Sequence, residues 1–239
     1  GLQAVRFGAR AYNEIATIED AGVTDREASL AAFVFHRDYR DHYERQGLAA
    51  YVRVDPPESD FSIRVEYADE RHYPVRARRP WSLIDNSEPW RAEPLAATGS
   101  LRRITAALDY DTRNSPRDPS HGWWLRGEVE RGLGRSLRDR FEGFDQPAPR
   151  EFFHGIIDAR RYARLGPTSR LALRAVAMGS LDGEALPVQR QHTLGGEGSL
   201  PGFALNRFSC GANNRFITAD SAPFQRFYGC DHSLLMQVE

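Results

Sequence analysis

The sequence predicts an all-β fold, part of an antiparallel transmembrane β-barrel, and three observations lead there. Apolar and polar residues alternate with a period of two in one segment after another, which is the pattern of a strand with one apolar and one polar face. Short turns alternate with long polar excursions, so one end of the sheet carries tight connections and the other carries large loops, as in barrels that cross outer membranes. No apolar stretch of about 18 residues occurs, which excludes a spanning helix.

Taken in order, the strands number about nine. Residues 5–12, 30–39 and 48–54 fit weaker strands. Phe61, Ile63, Val65 and Tyr67 then alternate cleanly with Ser62, Arg64, Glu66 and Ala68. Ile104, Ala106, Leu108 and Tyr110 alternate with Arg103, Thr105, Ala107 and Asp109, and Trp123, Leu125, Gly127 and Val129 with Trp124, Arg126, Glu128 and Glu130. Residues 153–162 form a weaker strand. Leu171, Leu173, Ala175 and Ala177 set off Arg170, Ala172, Arg174 and Val176, and residues 234–239 close the series. The short turns are 55–59 and 165–167; the excursions are roughly 73–100, 134–150 and 182–231. Residues 15–26 and 134–140 also suit short helical turns. Aromatic residues near strand ends (Trp123, Trp124, Phe152, Phe153, Tyr67, Tyr73) suit either interfacial girdles or ordinary packing.

Composition agrees with a barrel. The 239 residues carry a formal net charge of -1, so neither a nucleic-acid partner nor a basic membrane-binding patch is implied. All 32 cationic residues are arginine, read as a compositional bias. Mean hydropathy is negative, which argues against membrane helices but not against strands that present only one apolar face to lipid. The chain begins at Gly1 with no charged-then-apolar leader, which reads as a mature chain or a piece of a longer one. A soluble sandwich also alternates and carries long loops. Against it stand strands longer than the usual five or six residues and a polar face dense in Arg, Asp and Glu.

Two stretches carry a family likeness. One is Leu108-Asp109-Tyr110-Asp111-Thr112-Arg113-Asn114-Ser115-Pro116-Arg117-Asp118-Pro119-Ser120-His121-Gly122-Trp123; the other is Leu194-Gly195-Gly196-Glu197-Gly198-Ser199-Leu200-Pro201-Gly202-Phe203. Together they resemble the bacterial surface antigen barrel, the superfamily of the outer-membrane assembly proteins BamA and TamA. The likeness runs over nearly all of the chain and is sharpest from about 101 to 239. It implies one domain over 1–239, with about nine strands of a barrel of about sixteen, beginning near the fourth. It implies a periplasmic turn built on Asp111, Arg113, Asn114, Pro116 and Gly122. It also implies a loop at about 181–231 that folds into the lumen with the glycine-rich stretch at its tip. Its implied role is to insert or translocate proteins at the bacterial outer membrane, with outer-membrane lipid and unfolded barrel clients as partners. Where the family commonly has arginine at the tip, this chain has Pro201, which carries no charge and donates no hydrogen bond. Arg190 and Arg207 are the nearby substitutes, and Glu197 is placed to answer lumen arginines such as Arg126 or Arg174.

The residues read the same way without the likeness. Asn114, Pro116 and Gly122 are turn formers that pair their flanking strands as a hairpin. Gly195, Gly196, Gly198 and Gly202 free the backbone to pass close to a wall. A phosphate cradle is disfavoured, because no lysine follows and no strand-to-helix context surrounds the stretch. Cys210 and Cys230 both fall in the long loop; an exported chain meets oxidising conditions, so a disulfide is expected rather than a metal pair or a nucleophile. Closing that loop is worth roughly 3 kcal/mol. The carboxylate pairs Asp109/Asp111 and Glu128/Glu130 share strand faces, and with Arg103, Arg126, Arg174 and Glu239 they read as lumen charges rather than a hydrolytic pair. No catalytic residue, cofactor or metal is expected, and no serine-hydrolase motif occurs. Two other readings remain open: an anchor barrel for a separate passenger domain, and a soluble all-β binding protein.

Overall fold

The computed structural model describes residues 4–18, 25–37, 40–75, 81–84, 96–141, 144–195, 199–200, 202–203, 215–216, 226–227 and 229–239. Its strands are β1 (Val5–Thr17), β2 (His42–Val54), β3 (Phe61–Pro74), β4 (Thr98–Asp111), β5 (Gly122–Phe141), β6 (Phe144–Pro147), β7 (Glu151–Arg164), β8 (Arg170–Ser180), β9 (Arg215–Phe216), β10 (Arg226–Phe227) and β11 (His232–Val238). Among the described residues there is one α-helix, α1 (Asp25–Phe35). Strands β1, β2, β3, β4, β5, β7, β8 and β11 pair in that order as one antiparallel sheet, with β6 on the end of β5, while β9 and β10 pair with each other. The fold is therefore all-β and antiparallel, a meander in which each long strand lies beside its successor. The sheet ends at β1 and at β11 and does not close on itself.

Connections sort by end. Residues 55–60, 112–121 and 165–169 make tight turns at one end, and the long excursions lie at the other. The β4–β5 turn shows how sequence sets register. The Asp111 carboxylate accepts the Arg113 backbone N–H at 3.0 Å and its guanidinium at 2.8 and 2.7 Å. Asn114 Oδ1 accepts the N–H groups of Ser120 and His121 at 2.9 and 3.1 Å. Pro116 stands at the tip, with its carbonyl 3.5 Å from Arg113 Nη1. Gly122 has φ +112°, and a Cβ there would lie 2.3 Å from the Thr112 carbonyl oxygen, so only glycine fits.

Four sequence expectations need correction. The strand expected over 30–39 is not formed at 30–35: 25–35 is helix α1, because Ala28, Leu30, Ala31 and Ala32 favour helix and a short apolar run carries no period to decide otherwise. Of the expected excursion over 134–150, residues 134–141 and 144–147 are strand, and 134–140 is not a helical turn. Strand β5 continues to Phe141 and returns as β6, past a register shift opposite Leu101 and Arg103. Alternation fades there because the strand runs beyond the apolar band, where neither face is restricted to one residue class. The suggested helical turn over 15–26 likewise begins inside β1.

The two faces of the sheet differ in kind. On one, Phe7, Leu48, Val65, Tyr67, Ile104, Trp123, Ile157, Leu234 and Met236 are exposed; on the other, Glu66, Glu70, His72, Arg103, Glu130 and Asp158 are buried. Val65 is 45% and Ile157 53% exposed, against 1% for Glu70 and 5% for Arg103. Ionised side chains are almost never fully buried unless paired, and those of the inner face are paired. Of the aromatic residues offered as girdles, Trp123, Phe153, Tyr67 and Tyr73 share the outer, apolar face by strand alternation, whereas Trp124 and Phe152 point to the inner one. Residues 186–193, including a single 3-10 turn at Val188–Arg190, cover the inner face at the long-loop end. Leu186 packs there with Leu101, Leu137 and Phe152, and Val188 with Ile18 and Tyr43.

Candidate functional site

The site is a buried charge network on the inner face, capped by the 186–193 segment. Alternation places Glu66, Glu70 and His72 of β3, Arg103 and Thr105 of β4 and Glu130 of β5 on this face. Arg103 is the hub. Its Nε donates to Glu70 at 3.0 Å, its Nη2 to Glu66 at 3.1 Å and its Nη1 to Thr105 at 2.6 Å, and Glu130 lies 3.7 Å away. Arg10 of β1 donates to Glu66 at 3.1 Å, Arg64 also pairs with Glu66, and the Tyr12 hydroxyl donates to Glu70.

Arg190 enters from the capping segment. Its Nε donates to Glu130 at 2.6 Å, its Nη1 to the Tyr43 hydroxyl at 3.0 Å, and its Nη2 stands 3.8 Å from Glu70. Burial works against its charge, but Glu130, Tyr43 and Glu70 together outweigh this and hold the guanidinium well above its ordinary pKa. Gln189 fixes a tautomer. Its Nε2 donates to His72 Nδ1 at 2.9 Å, so His72 carries its proton on Nε2 and donates it to Glu70 at 2.9 Å. Gln189 also accepts the Ala97 N–H at 3.1 Å. Every carboxylate of this cluster is engaged by at least one cation or N–H. Among the described residues, no group of three or more His, Cys, Asp or Glu side chains is arranged to hold a metal ion.

A second contact fastens the cap. His154 of β7 and His192 meet Nε2 to Nε2 at 2.6 Å with nearly parallel rings, and the His192 backbone bridges Cys230 in both directions at 3.2 and 2.6 Å. Burial, then the neighbouring His154, then Arg190 push the His192 pKa down to about 3. One ring must donate and the other accept, so the contact is lost when both rings are protonated and the accepting ring at least must be neutral. The undocked ring takes a proton near 6.5 and the docked one resists it, so docking is at full strength above about pH 6.5 and weakens as pH falls toward 3. Amide exchange of residues 188–193, corrected for its intrinsic pH dependence, is expected to accelerate through that window by about 1.4 kcal/mol of lost protection per pH unit. In His192→Gln the acceleration disappears; an unchanged profile in that variant would assign it to other groups.

Of the other residues singled out by sequence, Glu128 adjoins this cluster, within the field of Glu130, Arg190 and Arg103. Asp109 lies across from Arg126 in the β4–β5 register, and Glu128 stands two residues before Glu130 on the same face. Arg174 donates to Asp158 at 2.8 Å and to Gln237 at 3.2 Å, joined by Arg160 at 2.9 Å. Glu239 pairs through its backbone with Ala172. At the loop tip, Gly195 N–H donates to Ser199 Oγ at 2.9 Å, and Gln237 Nε2 to the Ser199 carbonyl at 3.1 Å. Leu200 packs against Val176, Met178 and Leu235, on the inner face of β8 and β11, while Gly202 and Phe203 are exposed. Gly196, Glu197, Gly198, Pro201 and Arg207 lie outside the described residues. Cys230 is buried and disulfide-bonded; Cys210, the only other cysteine, lies outside them as well.

Sequence reasoning did not single out Glu70, His72, Gln189 or His154 as site residues. Alternation alone assigns Glu70 and His72 to the inner face; Gln189 carries no such signal. No family model, curated protein or solved structure matches the chain.

Proposed function

We propose that the chain forms part of a β-barrel of the bacterial outer membrane, with residues 181–231 folded into its lumen, and that it inserts or translocates proteins there. One observation carries the membrane reading: an exposed apolar outer face backs onto a buried, ion-paired inner one. The apolar outer positions run from Phe61 to Tyr67 on β3 and stop at Asp69. They run from Trp123 to Val129 on β5 and stop at Arg131, and from Phe153 to Ala159 on β7 before Arg161. Six residue steps cover roughly 20 Å along each strand, or roughly 15 Å across the bilayer at the ~40° tilt of barrel strands, the larger part of the ~25 Å apolar band of outer-membrane barrels. Water-soluble monomers rarely expose apolar patches beyond a few hundred square ångströms. In hydrocarbon the free edges of β1 and β11 need partners, so further strands complete the cylinder in this reading.

The protein-handling role rests on the likeness to the surface antigen barrels. In its favour, Ser199 and Leu200 sit against the inner face of β8 and β11, and Arg190 brings a guanidinium to the lumen carboxylates, where Pro201 has none to offer. The test has two stages. Full-length protein is expected in the outer-membrane fraction with gel mobility that shifts on heating; solubility without detergent ends the barrel reading. In liposomes it is then expected to speed the insertion of an unfolded barrel client, and no acceleration ends the assembly role alone.

A further inference from the structure

We propose that a groove on the outer face seats one acyl chain of a phosphate-bearing membrane lipid, an inference that rests on the membrane reading above. The groove, about 720 Å³, crosses β4, β5, β7 and β8 and is lined almost wholly by apolar atoms. Along one cross-strand row the pairing sets Leu108 beside Gly127, Gly127 beside Ile157, Ile157 beside Ala177 and Ala177 beside Leu234. Large and small residues alternate, so the small ones form a floor between apolar walls.

Gly127 is the telling residue. Glycine inside a strand costs about 0.5–1 kcal/mol relative to alanine, and it persists where a turn, a crowded backbone or an approaching ligand requires it. Gly127 has no left-handed φ, and a Cβ built on it meets nothing within 4 Å. Nothing in the chain therefore demands glycine there. What the missing side chain does is keep the groove open, and on a face bathed in hydrocarbon an alkyl chain is the occupant of matching chemistry.

Charge at the groove's upper end identifies the lipid class. Arg131 lies four residues beyond Gly127 on the same strand and face, roughly 13 Å toward the long loops. Its side chain is half exposed, and its Nη1 donates to Asp182 at 2.7 Å. Arg102 on the neighbouring β4 and Arg135 further along β5 share the two oxygens of Asp69 at 3.2 and 3.4 Å, and Arg71 follows on β3. With Glu151 counted, four guanidiniums stand among three carboxylates at this boundary. Guanidinium binds phosphate oxygens through paired N–H donors, so a phosphate is favoured at the level where the lipid chain leaves hydrocarbon.

The test is native mass spectrometry of the full chain, delipidated in detergent and titrated with phosphatidylglycerol. One tightly retained lipid is expected. Gly127→Leu fills the seat from a Cβ that meets nothing within 4 Å and is expected to weaken retention roughly tenfold, the worth of one lost apolar contact surface. Arg131→Gln is expected to weaken it about fivefold, within the range of a charge-assisted hydrogen bond, whereas Ala50→Leu, on the same face of β2 outside the groove, leaves it unchanged. Equal retention by Gly127→Leu and the parent chain overturns the seat while heat-shifted mobility keeps the barrel. Loss of that mobility shift in the parent chain overturns both.

Discussion

Val65→Arg is expected to destabilise the sheet in a lipid bilayer by about 2–4 kcal/mol, the cost of a guanidinium on the lipid face near the midplane of a barrel. Val65 stands at the centre of the outer face of β3, between Val52 on β2 and Ala106 on β4. It is nearly half exposed, and therein lies its diagnostic value. In water an exposed valine on a sheet exchanges for arginine at a cost within about 0.5 kcal/mol. The same substitution thus reports which solvent the outer face meets. Urea titration of protein folded into phosphatidylcholine vesicles, followed by heat-shifted mobility, measures it. A loss below about 1 kcal/mol would place the outer face outside hydrocarbon. Arg64→Leu, one residue earlier on the inner face, gives the converse: it removes a partner of Glu66 and gains nothing from lipid.

The contrast between Val65 and Arg64 also explains what the sequence made legible. Over residues 61–68, 103–110 and 123–130, apolar residues hold the exposed face and ion-paired ones the buried face, so residue class follows strand parity and the strands and their facing are readable residue by residue. The β4–β5 register is equally local, because Asp111, Asn114 and Gly122 each satisfy a constraint within the turn. Beyond the apolar band the constraint lapses. There β5 runs on through Arg135–Asp139 without alternation, and the Ala-rich run after Asp25 turns helical. The site was legible in half. Parity assigns Glu66, Glu70 and Arg103 to the inner face, but the contact of Gln189 with His72 joins positions 117 apart in the chain. No local pattern encodes such a pairing; it arises only once the 186–193 segment lies over the sheet. Arg190 was identifiable as a cation near the tip, but its bond to Glu130 was not.

Arg103→Met tests that network at its hub and is expected to cost roughly 3–5 kcal/mol, the penalty for stranding a buried charge. One guanidinium here serves Glu66 and Glu70 directly and Glu130 at longer range, all three carboxylates being nearly inaccessible to water. Methionine keeps the stem and removes only the charge and donors, so lost packing is a minor part of the effect. Arg103→Lys is expected to recover little of the loss, since a single ammonium does not reproduce a fork spanning two carboxylates and the Thr105 hydroxyl. Placing Glu70→Gln in the Arg103→Met background should restore part of the stability, because it removes one of the stranded charges. Asp109→Asn in the same background should not, since Asp109 lies apart from the cluster. That difference is a coupling energy, and it separates a closed network from general electrostatics. If Arg103→Met costs under 1 kcal/mol by urea unfolding followed through tryptophan fluorescence, water reaches the carboxylates and the inner face is an open channel rather than a plug.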